Sequence, residues 1–266
     1  MTIDFNQPVE IAPGIFWVGF HEGSSGLHCN PYLIVDQDEA ILIDGGSRPD
    51  FPTVMMKILK AGVNPKKIIG LIYSHYDPDI CGSIPNIESI IDSPDLKIIS
   101  NEENHMFITH YAASSKFVNL REINFEFSFK SGRSLRFYLT PYAHAQGSFV
   151  TFDHTTKTLF TSDLFGSYSR KWDLFLKLTP RCATCVQSKI CSKTHEPCPL
   201  FDIFTFHQNI MPSCKALRYA MKQIDQLAFE RIAPQHGSIL DLETSRMVLN
   251  RLHCLDQVGI DKFGDF

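Results

Sequence analysis

Lysine and arginine are nowhere clustered in this chain, and no apolar run approaches the roughly 20 residues that a membrane-spanning helix needs. The 25 Lys and Arg stand against 29 Asp and Glu, for a net charge of −4. A scattered, slightly acidic charge pattern offers no footing for nucleic acid or an anionic membrane, so neither is expected as a partner. The N-terminus, MTIDFNQPVE, lacks both the basic start and the apolar core of a secretory signal, and a cytoplasmic location is expected. There the eight cysteines read first as metal ligands, reactive thiols or buried apolar residues, and only then as disulfides. No internal repeat of fixed period is present.

What the chain does contain is strand and helix in alternation. GIFWVGF and NPYLIVDQDEAILIDGG read as β-strands, the latter two joined by the turn DQDE. DFPTVMMKILKAG carries apolar residues at helical spacing and ends at Gly62. KIIGLIYS is a buried-strand candidate that delivers His75, and a helix from about Ser83, the strand LKIIS and a helix through EENHMFITHYA follow. A β-rich run (EINFEFSF, RSLRFYLTP, GSFVTFDHTTKTLFTSD) precedes the helices LFDIFTFHQNI and CKALRYAMKQIDQLAF, the strand RIAPQHG and a last helix in DLETSRMVLNRLHCLDQ. This is an α/β pattern, in which ligands collect beyond the C-terminal ends of strands. One domain over residues 1–266 is expected, interrupted at 181–200 by a segment dense in Cys, Pro, Lys and Ser.

Several places share one arrangement, an apolar strand followed at once by a potential ligand. They are LIYSHYDPD (His75, Asp77, Asp79), FYLTPYAH (His144), KTLFTSD (Asp163) and RIAPQHG (His236). One sheet or sandwich could converge them on a single site. Three imidazoles and three carboxylates suffice for two divalent ions, with one carboxylate as a bridge. A single such histidine is more often a cap or a hydrogen-bonded core residue; three ligand types within five positions after a buried strand require a stronger reason.

The order His-x-carboxylate-x-Asp, then His, Asp and His, after a strand ending in LIDGG, resembles the metallo-β-lactamase superfamily. The carboxylate in place of the second histidine resembles the di-iron domain of flavodiiron proteins and the small oxygen-binding di-iron type, and FHQNIMPS resembles a segment of that family. The resemblance implies an αβ/βα four-layer sandwich with a cysteine-rich loop inserted. It implies that His75, Asp77, His144 and the bridging Asp163 ligate one iron, and that Asp79, Asp163 and His236 ligate the second. Asp77 stands where that family usually has Glu. Ile80 stands where it has His, so the second metal is expected to be more open. The implied function is binding or reduction of O2 or NO, as a reductase fed by an external rubredoxin- or ferredoxin-like donor or as a sensor with a signalling partner. A head-to-tail homodimer is implied as well. The rival reading is a di-zinc hydrolase.

RCATCVQSKICSKTHEPCPL spaces Cys182-x2-Cys185-x5-Cys191-x6-Cys198-Pro199. Four thiols in a segment too poor in aliphatics to order itself point to a bound group. Ending in Cys-Pro, the run resembles ferredoxin-like [4Fe-4S] ligation with wider spacing, and a zinc site of four cysteines is the alternative. His195 lies inside the loop as a further ligand type. The family's flavin is carried by a flavodoxin domain, which has no counterpart in these residues, so the expectation is that a cluster replaces the flavin as the redox group. Of the other residues, Cys81 can line the pocket or serve as a buried thiol. His28 and His207 read first as ordinary histidines, with a hydrogen bond donated to bound O2 as the alternative, and Cys29, Cys214 and Cys254 lack partners at ligand spacing and are read as ordinary thiols.

Overall fold

The computed structural model describes residues 3–21, 26–186 and 188–264. Its first sheet uses β1 (Val9–Ala12), β2 (Ile15–Trp17), β3 (Tyr32–Asp36), β4 (Glu39–Ile43), β5 (Ile68–Ile72), β6 (Lys97–Ser100) and β7 (Lys116–Asn119), adjacent in chain order. β4 through β7 run parallel, and the strands before them are antiparallel. The second sheet contains β8 (Glu126–Ser128), β9 (Ser134–Leu139), β10 (Phe149–Asp153), β11 (Thr158–Phe160), β12 (Phe175–Leu176), β13 (Arg231–Ala233) and β14 (Ile239–Asp241), in the order β12-β14-β13-β11-β10-β9-β8.

Alternation along the strands explains the layering. In β3, Ile34 faces the second sheet while Leu33 faces helices; in β4, Ile41 and Ile43 point one way and Leu42 the other. Period-two side chains on strands buried on both faces require a layer on each side. Trp17, Ile34, Ile41, Phe137, Phe149 and Phe160 fill the space between the sheets. Outside the first sheet lie α1 (Phe51–Lys60), α2 (Pro78–Cys81), α3 (Ile84–Ile91) and α4 (Glu102–Ile108). Outside the second lie α5 (Pro199–Ile210), α6 (Cys214–Asp225) and α7 (Leu242–His253). The result is the expected αβ/βα sandwich.

The elements follow their local chemistry. α1 starts with Pro52 in its first turn, where the missing N–H is of no consequence, and Gly62 beyond its end takes a φ of +77°. Lys57 on α1 is buried; its Nζ donates to the Gly19 carbonyl and lies 3.7 Å from the Trp17 ring centre. Burial pushes that ammonium down to about 7. The segment 181–200 differs from expectation at its end: α5 begins at Pro199, with Cys198 as its N-cap, because Pro at the first position starts a helix well. The short strands β1, β7, β12 and β14 have no clear signature of their own. Two to four residues cannot display a period; their partners define them.

Candidate metal centre

The first ligand-type residues arrive where β5 ends. Asp44, at the end of neighbouring β4, is buried and takes both the backbone N–H of Ser74 at 3.1 Å and its hydroxyl at 3.2 Å. Burial pushes the Asp44 carboxyl up to about 7 against those hydrogen bonds. This pair turns the chain sharply out of the sheet at His75. Asp77 precedes Pro78 and is held extended, with φ −72° and ψ +154°, as a residue before proline should be. α2 then brings Asp79 around toward the same space.

His144 enters from the loop after β9, across a cis Ala143–His144 peptide bond. Asp163 enters from the loop after β11 and His236 from the loop after β13. All six predicted residues converge. His144 Nε2 lies 3.1 Å from Asp163 Oδ2 and 3.4 Å from Asp77 Oδ2. His75 Nε2 lies 3.8 Å from both Asp77 Oδ2 and Asp163 Oδ1. His236 Nε2 lies 3.1 Å from Asp79 Oδ2 and 3.7 Å from Asp163 Oδ1. The Asp163 carboxylate therefore sits between two groups of donors.

Two of the three imidazoles are aimed by their other nitrogen. His75 Nδ1 hydrogen-bonds Ser162 Oγ at 2.8 Å, and His236 Nδ1 donates to the His28 carbonyl at 2.9 Å. Such partners fix a tautomer and leave Nε2 free to ligate. In the middle of the array, His75 Nε2 and Asp163 Oδ1 are buried without a hydrogen-bond partner. An unpartnered buried polar atom costs about 1–3 kcal/mol, so this donor set fits cations lying between its members.

The electrostatics agree. Burial alone would raise the Asp163 carboxyl, yet His75, His236 and His144 outweigh it and hold Asp163 well below the usual carboxylate range. Burial would lower His144, but Asp163 and Asp77 hold it up at about 10; His236 is likewise raised well above its ordinary value by Asp163 and Asp79. Without an ion, protons held on His144 and His236 balance the charge of the carboxylates. A divalent ion takes their place by displacing them.

The residues expected to line the pocket divide. Ile80 is fully buried and packs in the apolar layer with Tyr73, Ile84 and Ile87, and Cys81 lies in that layer too. His207 is buried with both nitrogens in use: Nδ1 donates to the Ile203 carbonyl at 2.7 Å, and Nε2 accepts the Phe165 N–H at 2.9 Å. Burial lowers its pKa to about 4, so it stays neutral and has no proton left to donate to O2; instead it pins the loop just after Asp163. The His28 ring turns its Nε2 to the Ser169 carbonyl at 2.7 Å and stacks on Trp172 at 4.4 Å. It serves the site through its backbone carbonyl rather than its ring.

Sequence reasoning missed Asp44, Ser162 and Cys29. Cys29 Sγ lies 4.0 Å from Asp79 Oδ2 and 4.0 Å from His236 Nδ1, and Cys29, Asp79 and His236 form one group of mutually close donors, as His75, Asp77 and His144 form another. Those partners are 50 and 207 positions away in the chain, beyond the reach of any spacing rule.

The cysteine insertion sits over the outer face of the second sheet. A 3-10 turn at Pro180–Ala183 is tied down by Arg251, whose Nη1 donates to the Cys182 carbonyl at 2.9 Å. A bridge between Ile190 and Pro197 closes the segment between Cys191 and Cys198. Cys198 is buried, while Cys182, Cys185 and Cys191 are partly exposed and pack on the same helical layer. Lys171 pairs with Glu196 at 2.5 Å, joining the insertion to the loop that follows Asp163. Among the described residues, the insertion's sulfurs do not form a group within 4.8 Å of one another.

Comparison with known proteins bears on the fold and the family. The nitric oxide reductase of Moorella thermoacetica is 27% identical over 266 residues, which cover 91% of this chain and 60% of that one. Diflavin flavoprotein A 1 of Synechocystis is 24% identical over 81% of this chain and 34% of its own length. The chain thus spans 60% of the first of these relatives and about a third of the second. Among solved structures, the apo state of the chemotaxis sensor ODP from T. denticola aligns with a TM-score of 0.72 at 24% identity, over 94% of this chain and 98% of that one. Rubredoxin oxygen:oxidoreductase from Desulfovibrio gigas aligns with a TM-score of 0.77 at 20% identity, over 93% and 61%. At those identities the structures speak to the fold, which they share. Residues 27–237 match the family described as ODP family beta lactamase, a span that runs from the His28 carbonyl to His236 and takes in every residue of the pocket; this chain belongs to that family.

Proposed function

We propose that this chain is a non-haem di-iron protein that binds or reduces O2 or NO. In this reading His75, Asp77, His144 and Asp163 hold one iron, and Asp79, Asp163 and His236 hold the other. The observation that carries it is the Asp163 carboxylate, whose two oxygens face different imidazoles while Oδ1 and His75 Nε2 lie buried and unpartnered. A carboxylate-rich set with few nitrogens suits a hard cation and stabilises the oxidised state of iron better than it suits zinc. When bound, the iron pair supplies electrons and open coordination positions for a diatomic ligand.

The chain's own residues do the rest. Ser162 and the His28 carbonyl aim His75 and His236. His207 fixes the loop behind Asp163, and Ile80, packed in the apolar layer with Tyr73, Ile84 and Ile87, offers no donor where the family it resembles has an imidazole. Tyr168 packs at 4.7 Å on Phe206, whose ring lies 5.8 Å from His236, and so walls one side with aromatic surface.

The insertion is part of the same proposal. Cys182, Cys185, Cys191 and Cys198 would hold a [4Fe-4S] cluster that delivers electrons to the pocket or reports its state. Four thiols in a segment poor in aliphatics, ending in Cys198-Pro199, support that reading, and a zinc site of four cysteines is its rival. Relatives named as a nitric oxide reductase and a rubredoxin oxygen:oxidoreductase favour a reductase with an external rubredoxin-like donor; a homodimer is part of the proposal as well. A relative named as a chemotaxis sensor favours a sensor with a signalling partner. Anaerobic stopped-flow mixing with O2 and with NO separates them. Turnover with reduced rubredoxin marks the enzyme, a long-lived coloured adduct without turnover marks the sensor, and zinc in place of iron with no reaction to either gas overturns both.

A further inference from the structure

We propose that the Cys29 thiol is a ligand of the second metal position, which Ile80 supplies with no donor. The proposal rests on reading the pocket as a two-metal centre. Of the two donor groups in the pocket, His75, Asp77 and His144 already give one position three side chains, and Asp163 makes a fourth. The other position has Asp79, His236 and the shared Asp163, and Cys29 is the next donor within reach.

Three observations place the sulfur there. Sγ is 4.0 Å from Asp79 Oδ2, which in turn is 3.1 Å from His236 Nε2. Ligands sharing one ion at about 2.0–2.3 Å each lie about 3–3.8 Å apart, so the 3.1 Å contact has that spacing and the sulfur stands just outside it. Asp163 Oδ1, buried and unpartnered, is 3.7 Å from His236 Nε2 and points into the same space. Cys29 itself is 3% exposed, so its sulfur has the pocket and not the solvent as its surroundings.

The backbone around Cys29 is also built to hold it. Asn30 is fully buried; its Nδ2 donates to the Pro234 carbonyl at 3.0 Å and the Gly237 carbonyl at 2.8 Å, its Oδ1 accepts from Trp17 Nε1 at 2.8 Å, and its backbone N–H donates to the Gln235 carbonyl at 2.9 Å. The loop that carries His236 is thereby stitched to the residue next to Cys29. On the other side, Phe20 donates to the Cys29 carbonyl at 3.3 Å, and a Cβ on Gly19 would come within 2.3 Å of that oxygen. Cys29 and His236 thus approach each other across two elements far apart in sequence, on rigid supports.

On binding, the thiol loses its proton to solvent and the sulfur donates its electron pair to the cation; nothing is oxidised. A soft thiolate on one side only would make the two positions unequal, the first rich in nitrogen and oxygen, the second part sulfur.

Cobalt(II) titration of metal-free protein tests this. Wild type, Cys29→Ser, Cys29→Ala and Asp163→Asn are compared by near-ultraviolet absorption and by cobalt retained after desalting. The insertion is the same in all four, so the wild-type minus Cys29→Ser difference isolates one sulfur. The expected result is a sulfur-to-cobalt charge-transfer band in that difference and at least tenfold weaker retention of one pocket ion in both Cys29 variants. In wild type, iodoacetamide labelling of the Cys29 peptide should slow at least tenfold when cobalt is added, a reading that stands even if the variants fail to fold. Equal spectra, equal retention or equal labelling rates overturn the proposal. If Asp163→Asn loses cobalt while the Cys29 variants match wild type, the thiolate alone is wrong. If Asp163→Asn retains as much cobalt as wild type, the two-metal reading fails and takes the thiolate with it.

Discussion

The pocket and the cysteine insertion both gather metal-ligating residue types, but they are built in opposite ways. In the pocket, buried strands end in residues whose non-ligating atoms are already occupied: His75 by Ser162, His236 by the His28 carbonyl, Ser74 by Asp44. The insertion has a 3-10 turn, one isolated bridge, a few ties to Arg251 and Lys171, and hydrophobic residues such as Val186 and Ile190 left exposed. The first is held in place by its own hydrogen bonds; on the proposal above, the second would take its order from the group it binds. A preorganised site keeps its shape when emptied, and a segment ordered by its ligand should not.

The largest effect that sharpens this contrast comes from Asp163. Because its carboxylate faces both donor groups, Asp163→Asn should remove both pocket metals while leaving the insertion's share, which elemental analysis of the desalted protein measures. Next comes Cys182→Ser with Cys185→Ser. The pocket should keep its two metals and the melting temperature should fall by only a few degrees, while limited proteolysis within residues 181–198 becomes faster by tenfold or more. Equal protease resistance would erase the contrast.

Ser162→Ala has a smaller, purely orienting effect. Losing the partner of His75 Nδ1 should weaken metal binding by about 10–100-fold, the range for groups that orient a metal-bound histidine, with circular dichroism unchanged. The smallest effect is on pH dependence. In metal-free protein His144 is held up at about 10, above the ordinary value of about 6.5. The stability it contributes is complete below about 6.5 and is lost as pH rises through about 10. Urea midpoints of the metal-free protein should therefore decline from pH 7 to 10, and the metal-loaded protein should show a flatter curve, because ions have replaced those protons.

How much of this could be read in the chain depended on distance. The pattern at LIYSHYDPD was local, and a buried strand that breaks into His-x-Asp-x-Asp predicted both β5 and the convergence beyond it. α1 and its end at Gly62 were equally legible from apolar spacing. β12, only Phe175–Leu176, exists because β14 pairs with it, and no property of two residues announces that. Ser162 attracted no reading of its own and Cys29 read as an ordinary thiol, because the partners that give them meaning arrive from 87 and 207 positions away. His207 had two readings, an ordinary histidine or a donor to O2, and only the fold shows both its nitrogens taken up, by the Ile203 carbonyl and the Phe165 N–H.

The most direct test of the account is metal analysis of protein purified without oxygen, combined with its visible spectrum. Two irons in the pocket and a four-iron cluster in the insertion predict about six irons per chain and broad absorption near 400 nm. About two or three zincs per chain, no iron and no colour would contradict it.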